Sequence, residues 1–470
     1  MEQQKFYLAG KWQSSKSFID VVNPYTEKVI TKVSEASKED LNKAILLALK
    51  SQEKLKKLSS FERFEILSFI ASSIQNKEKS LAKILARESG KPLKYAIGEI
   101  KRASQTFLIA AEETKRLPKE YISLDWTEKG KDKEGIIRYF PIGLVGGICP
   151  FNFPLNLVAH KVAPAIAAGC PIIIKPSSST PLLALELAKI INQTNLPKGA
   201  FSVLPMNRET GNMLVTDERI KLLSFTGSPS VGWEMKKNAG KKKVVLELGG
   251  NAACIITNSA NIKDAIEKCI VGGFAYSGQV CIHTQRIYVH ESLFNIFVKD
   301  FIKKIKTLRN GNPIKSTTDL SNMIDEKNAI RVEKWINEAQ KKGAKILFGG
   351  KRKKSYIEPT LITGTNNNMK VNSEEVFGPV VLIEKYKSFS EAVKLVNDTA
   401  FGLQAGVFTN QQNEIKQAFE QIEAGSVIIN DTPTFRVDHM PYGGIKDSGL
   451  GREGVKYAIL DMMEPKLLVQ

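Results

Sequence analysis

The sequence predicts an α/β protein made of two α/β units and an inserted β-hairpin. Three observations lead there. The chain has 470 residues, which suits two to four domains at roughly 100–200 residues each. From Pro141 onward, short apolar runs alternate with helical stretches, the pattern of a parallel sheet with helical crossovers. Between residues 119 and 140, the strand-like runs Tyr121–Trp126 and Gly135–Phe140 flank a charged, glycine-containing tip, which reads as an exposed hairpin.

Taken in order, Phe6–Gln13, Phe18–Val22 and Lys28–Val33 read as short strands broken by turn residues such as Asn23-Pro24. Residues 39 to 117 carry helical periodicity, with Leu41, Ile45, Leu46 and Leu49 expected on one face. Buried strands are expected at Leu144–Cys149, Pro171–Lys175, Phe201–Leu204, Leu222–Phe225 and Val244–Leu248, with helices such as Leu182–Ile191 and Ser230–Asn238 between them. A helical stretch is expected from Asn261 to Tyr276. The second unit places strands near Ala253–Ile256, Arg286–His290, Val380–Lys385, Gly406–Phe408 and Ser426–Asn430.

Composition narrows the function. Hydrophobic residues make up 42% and charged residues 25%, so a large core can form and disorder is excluded as the dominant state. The formal net charge is +19, which favours anionic partners. The basic residues are scattered, however, and lack the interleaved aromatics of a nucleic-acid stacking platform. No nucleic-acid partner is expected. The uncharged stretch Tyr139–Ala159 holds Pro141, Pro150, Pro154, Asn152 and Asn156, which a membrane-spanning helix could not carry cheaply. Met1–Gly10 shows no signal-peptide core. Five cysteines form no CxxC pair and no zinc spacing, and four histidines form no HExxH. We therefore expect a cytoplasmic protein with reduced thiols, no metal site and no membrane partner.

Three residues stand out chemically. Cys281 follows Gly278-Gln279-Val280; a lone cysteine is usually a small core residue, but a glycine turn beside a thiolate lets backbone approach a carbonyl substrate. Glu247 closes the apolar run Leu246-Glu247-Leu248-Gly249-Gly250-Asn251, where a carboxylate is either strained or a base. Asn152 sits in Pro150-Phe151-Asn152-Phe153-Pro154, and its amide serves either a turn or an oxyanion. The one GxGxxG match, Gly449, Gly451 and Gly454, is rejected as a dinucleotide fingerprint because only 16 residues follow it. A turn entering a C-terminal helix explains it better.

Together these segments resemble the aldehyde dehydrogenase superfamily over essentially the whole chain. The resemblance rests on Cys149–Pro154, Ile174–Pro181, Phe225–Ser228 with Gly232, Glu247–Asn251, Gly278–Cys281, Glu375-Val376-Phe377-Gly378-Pro379, and Pro441-Tyr442-Gly443-Gly444 with Lys446–Gly449, all in family order. It implies a Rossmann-like NAD(P)-binding domain (1–118 and 141–249, with 445–461), a catalytic domain (250–444), and an oligomerisation element (119–140 and 462–470). It also implies a homodimer or homotetramer. Cys281 would attack the aldehyde carbon, Asn152 and the Cys281 N–H would hold the oxyanion, and hydride would pass to NAD or NADP. Glu247 would activate the water that hydrolyses the thioester. Ile148, Phe151, Lys175, Ser178, Gly227, Ser228, Glu375 and Phe377 would line the cofactor, with Lys175 at the adenosine ribose, Ser228 at the pyrophosphate and Glu375 at the nicotinamide ribose.

Two departures bear on specificity. Many NAD-preferring members have glutamate where this chain has Ser178, so NADP is admissible. Phe151 stands where many have tryptophan, a conservative change. The segments Gly278–Cys281 with Gln285-Arg286, and Phe435–Pro441, look like the subgroup acting on lactaldehyde, glyceraldehyde 3-phosphate, phosphonoacetaldehyde or sulfolactaldehyde. On that likeness Arg102, Arg436 and His439 are expected at the substrate, the two arginines clamping an anionic group. The non-phosphorylating glyceraldehyde-3-phosphate enzymes also carry arginine immediately before the nucleophile, where this chain has Val280. A CoA-acylating relative and a catalytically inactive relative are the alternatives; Glu247 speaks against the first and the intact set Asn152, Glu247 and Cys281 against the second.

Overall fold

The computed structural model describes residues 3–470. Ser37 opens the first long helix, Lys38–Lys57, through a reciprocal capping box with Asp40. Its buried face is Leu41, Ala44, Ile45 and Ala48. Leu46, expected on that face, is exposed, because five residues past Leu41 is a rotation of about 140° on a helix. Helices Ser60–Asn76, Glu78–Ser89 and Leu93–Thr114 follow, and the last packs against Asn156–Ala168, a helix buried along its whole length.

An eight-stranded sheet carries the first α/β unit. Its order is Gly449–Leu450, Lys243–Glu247, Ile220–Thr226, Leu144–Ile148, Ile172–Lys175, Phe201–Val203, Phe6–Leu8 and Lys11–Gln13. The five central strands are parallel, and Gly449–Leu450, Phe6–Leu8 and Lys11–Gln13 run antiparallel to their neighbours. Sequence order reverses between Leu144–Ile148 and Ile220–Thr226, and a crevice opens at the carboxyl ends of strands at such a switch point. The second unit is a seven-stranded sheet ordered Lys345–Phe348, Thr360–Thr363, Val380–Tyr386, Arg286–His290, Ala253–Ile256, Gln404–Phe408 and Ser426–Ile429. It is parallel except at the Lys345–Phe348 edge.

The hairpin pairs Lys119–Ser123 with Glu134–Pro141, and the C-terminal strand Met463–Val469 adds to its other side. Trp126, expected to end the first strand, lies instead in the tip with 90% of its surface exposed. The last glycines of the rejected fingerprint do form a turn: Gly454 precedes helix Val455–Asp461. Among the described residues, no helix is long and apolar enough to cross a membrane.

Candidate active site

Three loops converge on Cys281. The helix before it, expected to run to Tyr276, ends at Phe274, since Tyr276 and Ser277 adopt left-handed φ of 51° and 54°. Side-chain anchors hold this costly backbone: Tyr276 Oη donates to Ser89 O at 2.9 Å and Ser277 Oγ to Ser321 O at 2.6 Å. Gly278 follows at φ 68°, and a Cβ there would lie 2.0 Å from Gly378 O. Glycine is the residue that fits. Cys281 is partly exposed, and its Sγ lies 3.2 Å from Tyr442 Oη. Burial of the sulfur pushes the thiol up to about 11, opposed by the Tyr442 hydrogen bond and the Arg436 charge.

Asn152 follows strand Leu144–Ile148 and donates from Nδ2 to Gln279 O at 3.0 Å, two residues before Cys281. Its own carbonyl accepts from the buried Lys91 ammonium at 2.7 Å. Glu247 ends strand Lys243–Glu247, opposite Gly449. It is buried, and neither carboxylate oxygen has a hydrogen-bond partner. Burial raises its carboxyl well above the ordinary value, and Glu453 adds to the rise while Arg436 and Lys161 oppose it. Beyond Glu247 the chain passes close to the Cys281 loop, since a Cβ on Gly250 would lie 3.0 Å from Cys281 O.

Three of the expected cofactor residues, Ile148, Lys175 and Ser178, lie at the switch-point crevice. Ile148, Lys175, Ser178 and Phe225 line a cleft of about 570 Å3 with Arg208 and Gly211. Gly211 keeps that wall open, because a Cβ would meet Lys175 Cε at 2.6 Å. Ser228 caps helix Pro229–Asn238 without spending its side chain on the cap, and the Gly227 N–H donates to Glu247 O at 3.0 Å. Such an N-terminus suits a pyrophosphate. Phe151 meets Phe377 edge-on at 5.9 Å between ring centres. Glu375 Oε1 accepts from the Gly250 N–H at 3.1 Å, and burial pushes its carboxyl up to about 7. A nucleotide's ribose hydroxyls and phosphates match this donor and acceptor set.

The expected substrate arginines are both engaged with carboxylates. Arg102 forks onto Asp438 from Nε at 3.2 Å and Nη2 at 2.7 Å. Asp438 also faces His160 Nε2 at 2.8 Å, and Arg436 Nη2 lies 3.4 Å from the same nitrogen. Arg436 reaches Glu453 at 3.0 Å and lies 3.7 Å over the Tyr442 ring. Contacts therefore run unbroken from Arg102 through Asp438, His160, Arg436 and Tyr442 to Cys281. His439 is exposed, and its buried neighbour Asp438 takes the place in this network.

The aldehyde dehydrogenase family model matches residues 12–468. The chain belongs to the aldehyde dehydrogenase family. The dehydrogenase has the family's α/β fold and oxidises aldehydes with NAD(P). It is 48% identical to aldehyde dehydrogenase 21 from Physcomitrella patens, solved with the reaction product succinate, covering 100% of this chain and 98% of that one at a TM-score of 0.98. It is 41% identical to a 3-sulfolactaldehyde dehydrogenase of Priestia aryabhattai over 100% of this chain and 98% of the relative. A glyceraldehyde-3-phosphate dehydrogenase GapN from Methanocaldococcus jannaschii complexed with NADP is 41% identical, over 97% of this chain and 100% of that one, with a TM-score of 0.93.

Several residues of the dehydrogenase's site escape sequence reasoning. Lys161 lies in the buried helix Asn156–Ala168 and donates to Ser224 at 3.0 Å and Thr226 at 2.8 Å, with Glu453 at 3.4 Å. The signal that singled out Glu247, a charge inside an apolar run, also applies to His160-Lys161. Glu453 sits inside the GxGxxG pattern, between Gly451 and Gly454, in a polar turn where a charge does not stand out. Arg331, which donates to Val376 O at 2.7 Å and steadies the Glu375–Phe377 loop, carries no sequence signal.

Proposed function

We propose that the enzyme oxidises a small hydroxylated or anionic aldehyde to its carboxylic acid, by way of a thiohemiacetal and a thioester on Cys281. The observation that carries this is the convergence of Cys281, the Asn152 amide and the unpartnered Glu247 carboxyl, with two arginines linked to the sulfur through Tyr442. The Cys281 thiolate attacks the aldehyde carbon. Asn152 Nδ2 uses one N–H on Gln279 O and has a second for the oxyanion. Lys175, Ser178, Ser228 and Glu375 would hold NAD(P), which when bound accepts the hydride. Glu247 then takes a proton from water as it attacks the thioester, and the sulfur leaves as thiolate. A carboxyl whose proton affinity is raised is a better base for this step.

The anionic preference draws on Arg102 and Arg436, and on what relatives are named for: a sulfonated aldehyde in one, a dicarboxylate product in another. We assign the hairpin and C-terminal strand to an oligomer interface and read the chain as the two domains and one element set out above. Phe140, Leu467 and Leu468 are exposed on that sheet, and exposed sheet edges are normally covered. Free cysteines throughout favour the cytoplasm.

The test is a single-turnover experiment. Cys281→Ser should abolish turnover while the protein stays folded, since oxygen is the weaker nucleophile at nearly equal volume. Glu247→Gln should give a burst of NAD(P)H and then stall. Wild-type turnover by Glu247→Gln would refute the base assignment.

A further inference from the structure

We propose that Tyr442 is a further catalytic residue, the hydrogen-bond donor that stabilises Cys281 as a thiolate. This rests on Cys281 being the nucleophile. Tyr442 is 2% exposed, and a buried phenol needs a partner for its hydroxyl. Among the described residues, that partner is Cys281 Sγ at 3.2 Å. The backbone of Tyr442 is fixed by two bonds to Glu453, at 2.8 and 2.6 Å, so the ring is placed rather than merely packed. Phenylalanine would fill the same space. What tyrosine adds is the hydroxyl that reaches the sulfur.

Arg436 gives the contact its direction. Its guanidinium lies 3.7 Å over the Tyr442 ring and is itself held by Glu453 at 3.0 Å. A cation on the ring face draws electron density from the phenol and makes its O–H a stronger donor. The hydroxyl keeps its proton, because burial and the neighbouring Cys281 raise its ionisation well above the ordinary value, with Arg436 in opposition. It therefore donates. The other charged groups facing the sulfur, Glu375 and Glu247, both disfavour a thiolate, which leaves Tyr442 and Arg436 to favour it.

The chemistry balances simply. The Cys281 S–H bond breaks and its proton passes to solvent, while the Tyr442 O–H turns onto the sulfur and nothing is oxidised. The same donor meets the sulfur again when thioester hydrolysis releases it as thiolate. Tyr442 thus acts at both ends of the cycle.

Tyr442→Phe tests this in the full-length enzyme. The rate of inactivation by iodoacetamide is followed across pH 6–10, with Cys281→Ser defining the labelling site; the other four cysteines are buried. Burial places the midpoint above this range, so loss of the hydrogen bond, which should raise it by about one unit, should slow alkylation roughly tenfold at every pH measured. In steady state, kcat should fall with KM little changed. Should Tyr442→Phe not fold, Arg436→Lys, which keeps the charge for Glu453 and loses the planar stack, should shift the midpoint the same way by less. Superimposable pH profiles in the folded variant overturn the inference and leave the nucleophile assignment standing. Retained turnover in Cys281→Ser overturns both.

Discussion

Arg102→Ala should cost activity on anionic aldehydes and spare neutral ones. A charge-assisted hydrogen bond is worth roughly 1.5–3 kcal/mol, about ten- to a hundredfold in kcat/KM. The structure sets where in that range the loss falls. Asp438 already accepts from Nε and Nη2 of Arg102, so three of the five guanidinium N–H groups remain for a substrate. The side chain is 29% exposed, which weakens the field further. Both effects put the expected loss near tenfold. The assay compares kcat/KM on sulfolactaldehyde or glyceraldehyde 3-phosphate with that on lactaldehyde, in wild type and variant. Arg102→Lys, which keeps the charge and loses the fork, should fall between. Equal losses on charged and neutral substrates would refute the clamp and reduce Arg102 to a partner of Asp438.

Ser178→Glu should weaken NADP relative to NAD, because a carboxylate at that cleft wall would repel a 2′-phosphate; an unchanged ratio of the two KM values would place the ribose elsewhere. The deacylation rate in single turnover should rise with pH through a midpoint above the ordinary carboxylate range, since Glu247 must lose its proton to act and burial raises its pKa; a flat profile would exclude it as the base. Leu468→Asp should lower the oligomeric state in light scattering, as it puts a charge on the exposed face of the C-terminal strand; unchanged mass would move the interface to another face.

Strands buried on both faces read as continuous apolar runs, which is why Ala253–Ile256 is found on its expected bounds. Boundaries failed where local signals compete. Trp126 has high strand propensity yet lies in a turn, and Tyr276 and Ser277 adopt a left-handed backbone that only tertiary anchors make tolerable. The residues proposed to react are visible in the sequence because each breaks its local pattern. Their supports are not, because pairing is a property of three dimensions: Lys161 and Glu453 stand 292 residues apart, and Arg102 and Asp438 stand 336 apart. A sequence shows an odd charge in an apolar run; it does not show what neutralises it.

Lys91 illustrates how such a support can be tested apart from the chemistry it serves. Its ammonium is 1% exposed and pairs with Glu99, donates to Asn152 O at 2.7 Å, and lies 3.7 Å over the Phe153 ring. Glu99 uses its other oxygen on the N–H groups of Leu155 and Asn156, at 3.0 and 3.3 Å. The pair thus ties the Asn152 loop to the helix behind it. Removing one member of a buried pair costs about 3–5 kcal/mol, because the other charge is left without compensation, whereas replacing both is often nearly neutral. Lys91→Met should therefore lower the thermal midpoint strongly, and Lys91→Met with Glu99→Gln should recover most of it, since glutamine can still accept from Leu155 and Asn156. Activity should separate from stability: Asn152 O has lost its donor in both variants, so kcat should stay depressed in the stable double variant. Recovery of kcat together with the midpoint would mean that the pair only holds the fold and does not place the oxyanion amide.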